Sequence, residues 1–438
     1  MRFASITGIS LLISVASLDC SSAREGSTSN AGENGGATSA GGTAASSSGA
    51  SAGAGASPTT STGGETNAGG GASPSGGGSS SASGGATSTG GAGATSTGGT
   101  TSAGGATNTG GTANGGGTAN GGAGGGRASG GTGGADCEIP SEDLSKPPTT
   151  LALTGNLGTH DPSAIFADGV YYLFATGNGI ATKTSTDLLA WKGAPDVFSS
   201  IPSWVAGKLS GVTNVWAPDI SFFNGVYHLY YAVSTFGSNK SCIGHATRAS
   251  MSSGSWTDHG SVLCSNVGTS DDWNAIDPNV IVDDDGTPWL DFGSFWSGIK
   301  LVKLAADGTR ADTQVLALAD NKSIEGPYIV HQCGYYYLFV SFGSCCGSPY
   351  DYNIRVGRSQ SVTGPYLDKA GTDMMNGGGN QLVQGNGTWT APGHNAVLVT
   401  SQATYNLYHA LDANHANPTL RVAELVLDAD GWPVSGGP

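Results

Sequence analysis

One pattern recurs five times after residue 155 and limits what this chain can become. Each copy sets a polar or charged residue beside Pro or Gly, runs into a short apolar strand, and turns into an aromatic one. The copies read HDPSAIFADGVYYLFA from His160, WAPDISFFNGVYHLYYA from Trp216, IDPNVIVDDDGTPWLDFGS from Ile276, IEGPYIVHQCGYYYLFVS from Ile324 and APGHNAVLVTSQATYNLYHA from Ala391. Most second strands follow a Gly-containing turn, as hairpins require. Their starts lie roughly 50 to 70 residues apart, which suits one four-stranded blade per copy. Segments such as GHATRAS (244–250) and NIRVGRSQSVTGPYLD (353–368) supply further strands in equivalent places, and no stretch carries a sustained helical period. A twisted blade cannot bury both of its faces alone, so neighbouring blades must cover each other's aromatic strands. The reading is all-β: a five-bladed β-propeller over residues 151–438.

The chain before this region has a different texture. Residues 1–23 combine Arg2 with a short apolar run from Ile9 to Leu18, an export signal too short to span a bilayer as a mature helix. Two processing routes fit: cleavage after the small residues Ser21-Ser22-Ala23, or a lipid anchor through Cys20. Most of the 75 glycines lie before residue 136. Residues 24–135 are Gly, Ser, Thr, Ala and Asn in imperfect repeats, with nothing to build a core, and read as a disordered flexible linker. Residues 136–150 form a transition segment.

Charge narrows the partners. With 17 basic and 32 acidic side chains and a formal net charge of -15, no basic cluster exists to neutralise a phosphate backbone. Nucleic acid is therefore not an expected partner, no protein partner is indicated, and an uncharged polymer suits the aromatic-rich surface better. Seven cysteines leave six once Cys20 is set aside, enough for three disulfides in an exported chain. Cys242 with Cys264 suits the strands of the second blade, and Cys333 is expected to reach Cys345 or Cys346 across its hairpin. The run DDDG at Asp283 reads as a turn, since it lacks the spacing of an EF-hand.

The first strands of a propeller line its channel, and here they begin with Asp161, Asp219, Asp277, Glu325 and His394. These are read as equivalent positions of five blades, converging on one cavity. Crowded carboxyls push each other's pKa values apart, making one an acid and leaving another a base. That suits glycoside hydrolysis, in which one carboxyl protonates the leaving oxygen and another activates water; a separation of about 6.5 to 9.5 Å implies inversion.

The motifs HDPS at His160, WAPDI at Trp216, NAIDPN at Asn274, FGSFWSGI at Phe292, SIEGPY at Ser323, IRVGRSQSVTGPYLD at Ile354 and PGHN at Pro392 follow in order across the whole region. In these, the chain resembles glycoside hydrolase family 43, most of all its endo-1,5-α-L-arabinanases, whose fold is a five-bladed propeller. The resemblance implies that Asp161 is the general base, Glu325 the general acid, and Asp277 the third carboxylate that raises the acid's pKa and orients it. It makes Trp216 a cleft aromatic for stacking on a sugar and Asp219 a hydrogen-bond partner of a furanose hydroxyl. Asn274, Ser294, Phe295 and Trp296 become walls of the arabinose site, with core packing as the alternative for Phe295 and Trp296. His394 matches a histidine near a bound calcium ion, structural or electrostatic and largely water-coordinated; no organic cofactor is implied. The Cys345-Cys346 pair resembles a cysteine-pair loop beside the arabinanase cleft, and a vicinal or a cross-hairpin bond both fit.

The function expected is secreted, inverting endo-hydrolysis of linear arabinan. An exo-acting arabinofuranosidase or β-xylosidase of the same family is the nearest rival. Such enzymes often carry a further β-sandwich domain, for which no length remains after the fifth copy. A carbohydrate-binding propeller without catalysis is the more distant one.

Overall fold

The computed structural model describes residues 147–415 and 417–438. The expected export signal, Cys20, the linker and most of the transition segment lie outside them. The described residues form five sheets, in each of which four strands pair antiparallel with the next in sequence; the first sheet adds the short strand Thr154–Gly155, paired with its outermost strand. The first strands are Ser163–Ala167, Trp216–Phe223, Asn279–Val282, Ile324–Gln332 and Trp389–Val399. Each packs against the first strands of the blades before and after it, and the fifth packs against the first, so the ring is closed. This is a five-bladed β-propeller.

The uniformly apolar second strands follow from that closure. Val226–Val233 (VYHLYYAV) sends Leu229 and Tyr231 into a core shared with Ile165 and Phe174 of blade 1. Its Tyr230 points the other way, into a core shared with Val280 and Leu290 of blade 3. Each of the five seams between blades holds such a cluster. A strand buried on both faces reads as a continuous hydrophobic run instead of an alternating one.

The seam between blades 5 and 1 is also stitched by backbone. Leu151 donates to Val422 O at 2.8 Å and Glu424 to Thr149 O at 2.8 Å, while Thr154–Gly155 runs parallel to Ala190–Trp191 at the outer edge of blade 1. The hairpin turns of blades 1, 2 and 4 place Asp168-Gly169, Asn224-Gly225 and Cys333-Gly334 at positive φ, as two-residue turns matching strand twist require. Asp283 lies in a turn closed by Gly286 N to Asp283 O at 2.9 Å, as its sequence suggests.

The register corrects the expectation that the five ionisable residues are equivalent. What is equivalent is the corner proline: Pro162, Pro218, Pro278, Pro327 and Pro392. The residue before each one has positive φ: Asp161 53°, Ala217 39°, Asp277 57°, Gly326 57° and Ala391 49°. Proline disfavours the right-handed helical well for the residue ahead of it, and all five corners take the left-handed one. Asp161 and Asp277 share this position. Glu325 lies one residue before it, whereas Asp219 and His394 lie beyond the proline.

The position after the proline has another task. The Ser163 hydroxyl accepts from Ile220 N at 3.2 Å, Asp219 Oδ2 from Val280 N at 2.9 Å, and Asn279 Oδ1 from Ile329 N at 2.8 Å. Tyr328 donates to Val397 O at 3.2 Å. Blades 1 to 4 thus each satisfy a backbone group of the next blade's first strand, which as an inner edge has no strand partner on that side, and in blade 5 the position is Gly393.

Two disulfides are resolved in full. Cys242 joins Cys264, and Cys345 joins its neighbour Cys346. The expected bond from Cys333 to that pair is not formed; Cys333 is disulfide-bonded elsewhere. Cys333 occupies the turn at one end of the strand Tyr335–Phe342, and Cys345 follows the other end. Eight residues of strand span about 26 Å, far beyond the roughly 7 Å between Cα atoms that a disulfide bridges.

Candidate active site

The channel end at which the first strands begin gathers the polar groups. Asp161 is 7 % exposed and Asp277 6 %, while Glu325 is half-buried. Left-handed corners aim the two aspartates, and a bulge between Glu325 and Tyr328 turns the glutamate to the same end. Gly326 is needed there, since its φ is +57° and a Cβ would come within 3.1 Å of His394 Nδ1.

Asp161 is surrounded by a hydroxyl and three imidazoles, of which His409 Nδ1 accepts from the Asp161 N–H at 3.2 Å. Its Oδ2 lies 2.8 Å from His160 Nδ1 and accepts from the Thr176 hydroxyl at 2.5 Å; its Oδ1 lies 3.2 Å from His394 Nδ1 and 3.7 Å from His409 Nδ1. The Thr176 oxygen accepts from Ala217 N at 2.8 Å, which commits its proton to Asp161. Burial pushes the Asp161 carboxyl up, but His160, His394 and His409 outweigh it and hold the group well below the usual carboxylate range. Of the three carboxyls, Asp161 is the one whose surroundings favour the ionised form.

Asp277 and Glu325 behave in the opposite way. Burial raises Asp277 well above its ordinary value, and the charges of Glu325 and Asp161 add to it, against a hydrogen bond from Gly326 N at 3.1 Å. Burial raises Glu325 as well, with Asp161 adding, although the hydroxyls of Tyr352 and Ser294 oppose the shift. The Ser294 hydroxyl donates to Glu325 Oε2 at 3.0 Å. The ionised form of each is disfavoured, so a proton stays on the pair where an ordinary carboxyl has lost its own. Glu325, the more exposed of the two, is placed to deliver it.

The remaining expected residues separate into two groups. Phe295 and Trp296 are 37 % and 43 % exposed on the loop joining the second and third strands of blade 3, beside Glu325, and do not pack in the core. Trp216 is half-buried at the start of blade 2. Asp219, by contrast, is 2 % exposed, with one oxygen accepting from Ser163 Oγ at 2.9 Å and the other from Val280 N. It ties blades together and presents no group to a sugar. Asn274 is also buried, its Oδ1 accepting from Ser241 Oγ at 2.6 Å.

Several participants escaped the sequence reading. His160 was visible inside HDPS, but its pairing with Asp161 was not. Thr176, Tyr352 and His409 sit in or beside second and third strands, where nothing marks them apart from core residues. Gly393 carries a trace of Tyr352: a Cβ there would lie 2.0 Å from its ring. Phe236, 75 % exposed, occupies the blade 2 loop corresponding to that of Phe295 and Trp296.

Among the described residues, His160, Asp161 and His409 bring ligand atoms within 4.8 Å of one another, a potential metal-binding cluster. Its two imidazoles and one carboxylate are a poor cage for calcium, which takes oxygen ligands. His394, the residue expected beside an ion, already turns Nδ1 to Asp161. The donor set fits a hydrated ion touching one histidine and does not fit an ion enclosed by protein ligands.

The family model described as "Glycosyl hydrolases family 43" matches residues 154–433. An extracellular endo-α-(1→5)-L-arabinanase of Bacillus subtilis is 42 % identical over 285 residues, covering 63 % of this chain and 86 % of that protein. An extracellular exo-α-(1→5)-L-arabinofuranosidase of Cellvibrio japonicus is 40 % identical over 298 residues, covering 63 % and 85 %. Among solved structures, a family 43 endo-arabinanase from Bacillus licheniformis superposes with a TM-score of 0.62 at 43 % identity, covering 65 % of this chain and 99 % of that one.

Proposed function

Because the chain belongs to glycosyl hydrolase family 43, we propose that it cuts internal 1,5-α-L-arabinofuranosidic bonds of linear arabinan with inversion. One observation carries the reading: Asp161, bonded to a hydroxyl and faced by imidazoles that favour its ionised form, and the carboxyls of Asp277 and Glu325, whose burial opposes ionisation, lie at the same end of one channel. Asp161 takes a proton from the attacking water, and His160 and Thr176 hold its lone pairs in place. Glu325 gives its proton to the leaving oxygen, and Asp277 keeps that proton available by resisting a second negative charge. The exposed rings of Phe295 and Trp296 supply apolar faces for sugar units beside the acid.

A hydrated calcium ion belongs near His394 in this reading, adding positive charge close to Asp161 and taking no part in the proton transfers. The short apolar segment at the N-terminus and the extracellular relatives support export, with the Gly/Ser/Thr/Ala-rich stretch as a spacer and Cys20 as an alternative anchor point.

The endo and exo relatives are nearly equal in identity, so products decide between them. On debranched arabinan, early release of mixed oligosaccharides with a steep fall in viscosity is expected. Arabinose alone from the outset would replace the endo assignment with an exo one. No hydrolysis of arabinan, para-nitrophenyl arabinofuranoside or xylobiose would leave a binding propeller.

A further inference from the structure

The vicinal Cys345–Cys346 disulfide has no part in the proton transfers, yet it borders them. Cys346 Sγ lies 3.7 Å from His160 Nε2, and the ligand atoms of His160, Cys345 and Cys346 all fall within 4.8 Å of one another. All three residues are partly exposed, so a small solute reaches them. The other nitrogen of His160 faces Asp161 Oδ2 at 2.8 Å. With Nδ1 donating to that carboxylate, the Nε2 lone pair of the neutral ring points toward the sulfurs. A histidine oriented by a carboxylate with its second nitrogen turned to thiolates is the arrangement found around bound zinc.

We propose that Cys345, Cys346 and His160 form a site for a thiophilic divalent cation such as zinc, opened by reduction of the vicinal disulfide. In the oxidised protein the sulfurs are spent on each other and only the imidazole is a ligand. A phosphine reductant donates two electrons that break the S–S bond; water supplies the two thiol protons and the oxygen of the phosphine oxide. The cation then displaces both thiol protons and binds two thiolates and Nε2, with water in the fourth position. With Zn–S near 2.3 Å and Zn–N near 2.0 Å, tetrahedral geometry sets nitrogen and sulfur about 3.5 Å apart, close to the separation already present.

The loop holding the cysteines keeps its place without the bond. Ser344 N donates to Asp351 Oδ1 at 2.9 Å, the Ser344 hydroxyl to Gly347 O at 3.0 Å, and Gly343 N to Ser323 O at 3.0 Å. Cys345 also packs against the cluster of Tyr352, Ala391 and Leu411.

The test is titration of the full chain with cobalt(II), oxidised and phosphine-reduced, reading the near-ultraviolet thiolate charge-transfer band and then its displacement by zinc. One equivalent bound by the reduced form alone is expected. The band should vanish in Cys345→Ser/Cys346→Ser, and affinity should fall by more than about tenfold in His160→Gln. Should either variant fail to fold, alkylation of the reduced wild type, with peptide mapping of the modified thiols, must abolish the band when Cys345 and Cys346 are the sites blocked. An equal band in the double cysteine variant would assign binding to the remaining cysteines, Cys20, Cys137, Cys242, Cys264 or Cys333, and overturn the site. Unchanged affinity in folded His160→Gln would remove the imidazole from it, and no binding after reduction would end the proposal.

Discussion

Asp161 and Asp219 are buried acids at the inner ends of neighbouring blades, and they have been put to opposite uses. One precedes its corner proline and the other follows it. That difference turns Asp161 into the channel, against three imidazoles and a threonine hydroxyl, and turns Asp219 into the seam between blades, against a serine and a backbone N–H. Burial raises both. The imidazoles and the hydroxyl facing Asp161 reverse the shift there, whereas the donors around Asp219 only moderate it and leave the carboxyl at about 6. Burial alone therefore does not mark a candidate acid or base in this fold; the groups that face it do.

The comparison predicts different phenotypes. Asp161→Asn should lower kcat/KM by about 10³-fold, within the range for loss of a general base, and also forfeit the stability that its ionised form contributes. Asp219→Ala should keep most of kcat and lose stability alone. Steady-state kinetics and urea melts on both variants would break the comparison if the phenotypes were exchanged.

The Asp277–Glu325 pair sets the next effect in size. Because Asp161 stays ionised well below the usual carboxylate range, the plateau of kcat/KM should extend to acid. The alkaline limb belongs to the shared proton: as pH rises through the raised value of the pair, the acid is lost and the rate falls about tenfold per unit. Glu325→Gln should flatten that limb at a low residual rate. A limb that survived in Glu325→Gln would assign the proton donor elsewhere.

The fold was legible in the sequence because the propeller repeats itself, and five hairpins with turn signals and apolar runs reinforce one another. The carboxyls proposed for catalysis stood out for the same reason, as ionisable residues beside corner prolines. Their apparent equivalence was not correct, because each one-residue slip past the proline changes which way a side chain faces. Asp219 looked like Asp161 for this reason, and only the pairing of Asp219 with Tyr230 after the bulge separates the two. Thr176, Tyr352 and His409 could not be found, since their roles depend on which blade they meet. Asp291 was passed over as well: it is fully buried, with neither carboxyl oxygen bonded to a described protein group.

A smaller effect, in stability, tests the other half of the comparison. Removing the Asp219 carboxylate leaves Val280 N–H and the Ser163 hydroxyl short of a partner, which should cost about 1–3 kcal/mol. Its protonation runs against that of most salt-bridged acids. The folded group holds its proton up to about 6, whereas the unfolded one releases it near 3.8. Between those values the folded state binds more protons, so this group's share of stability is highest below pH 3.8, declines as pH rises, and is lost above 6. Asp161 contributes with the opposite sign, its share being present above the unfolded value and lost only in stronger acid. Stability curves of wild type and Asp219→Asn should therefore differ in slope between pH 4 and 6, and equal slopes would refute the raised value.

The smallest effect concerns how Asp161 is held. Thr176 bonds both the proposed base of blade 1 and the corner of blade 2, accepting from Ala217 N and donating to Asp161. Thr176→Val keeps the shape of the side chain and removes both bonds. The carboxylate remains ionised, because its imidazole neighbours are untouched, but it loses one of the groups that fix its direction toward the attacking water. A loss of about 1 kcal/mol of orientation corresponds to roughly a fivefold fall in kcat, with KM unchanged because the residue does not touch the sugar. Were Thr176→Val to raise KM and spare kcat, the threonine would belong to the substrate site, and the imidazoles alone would have to position the base.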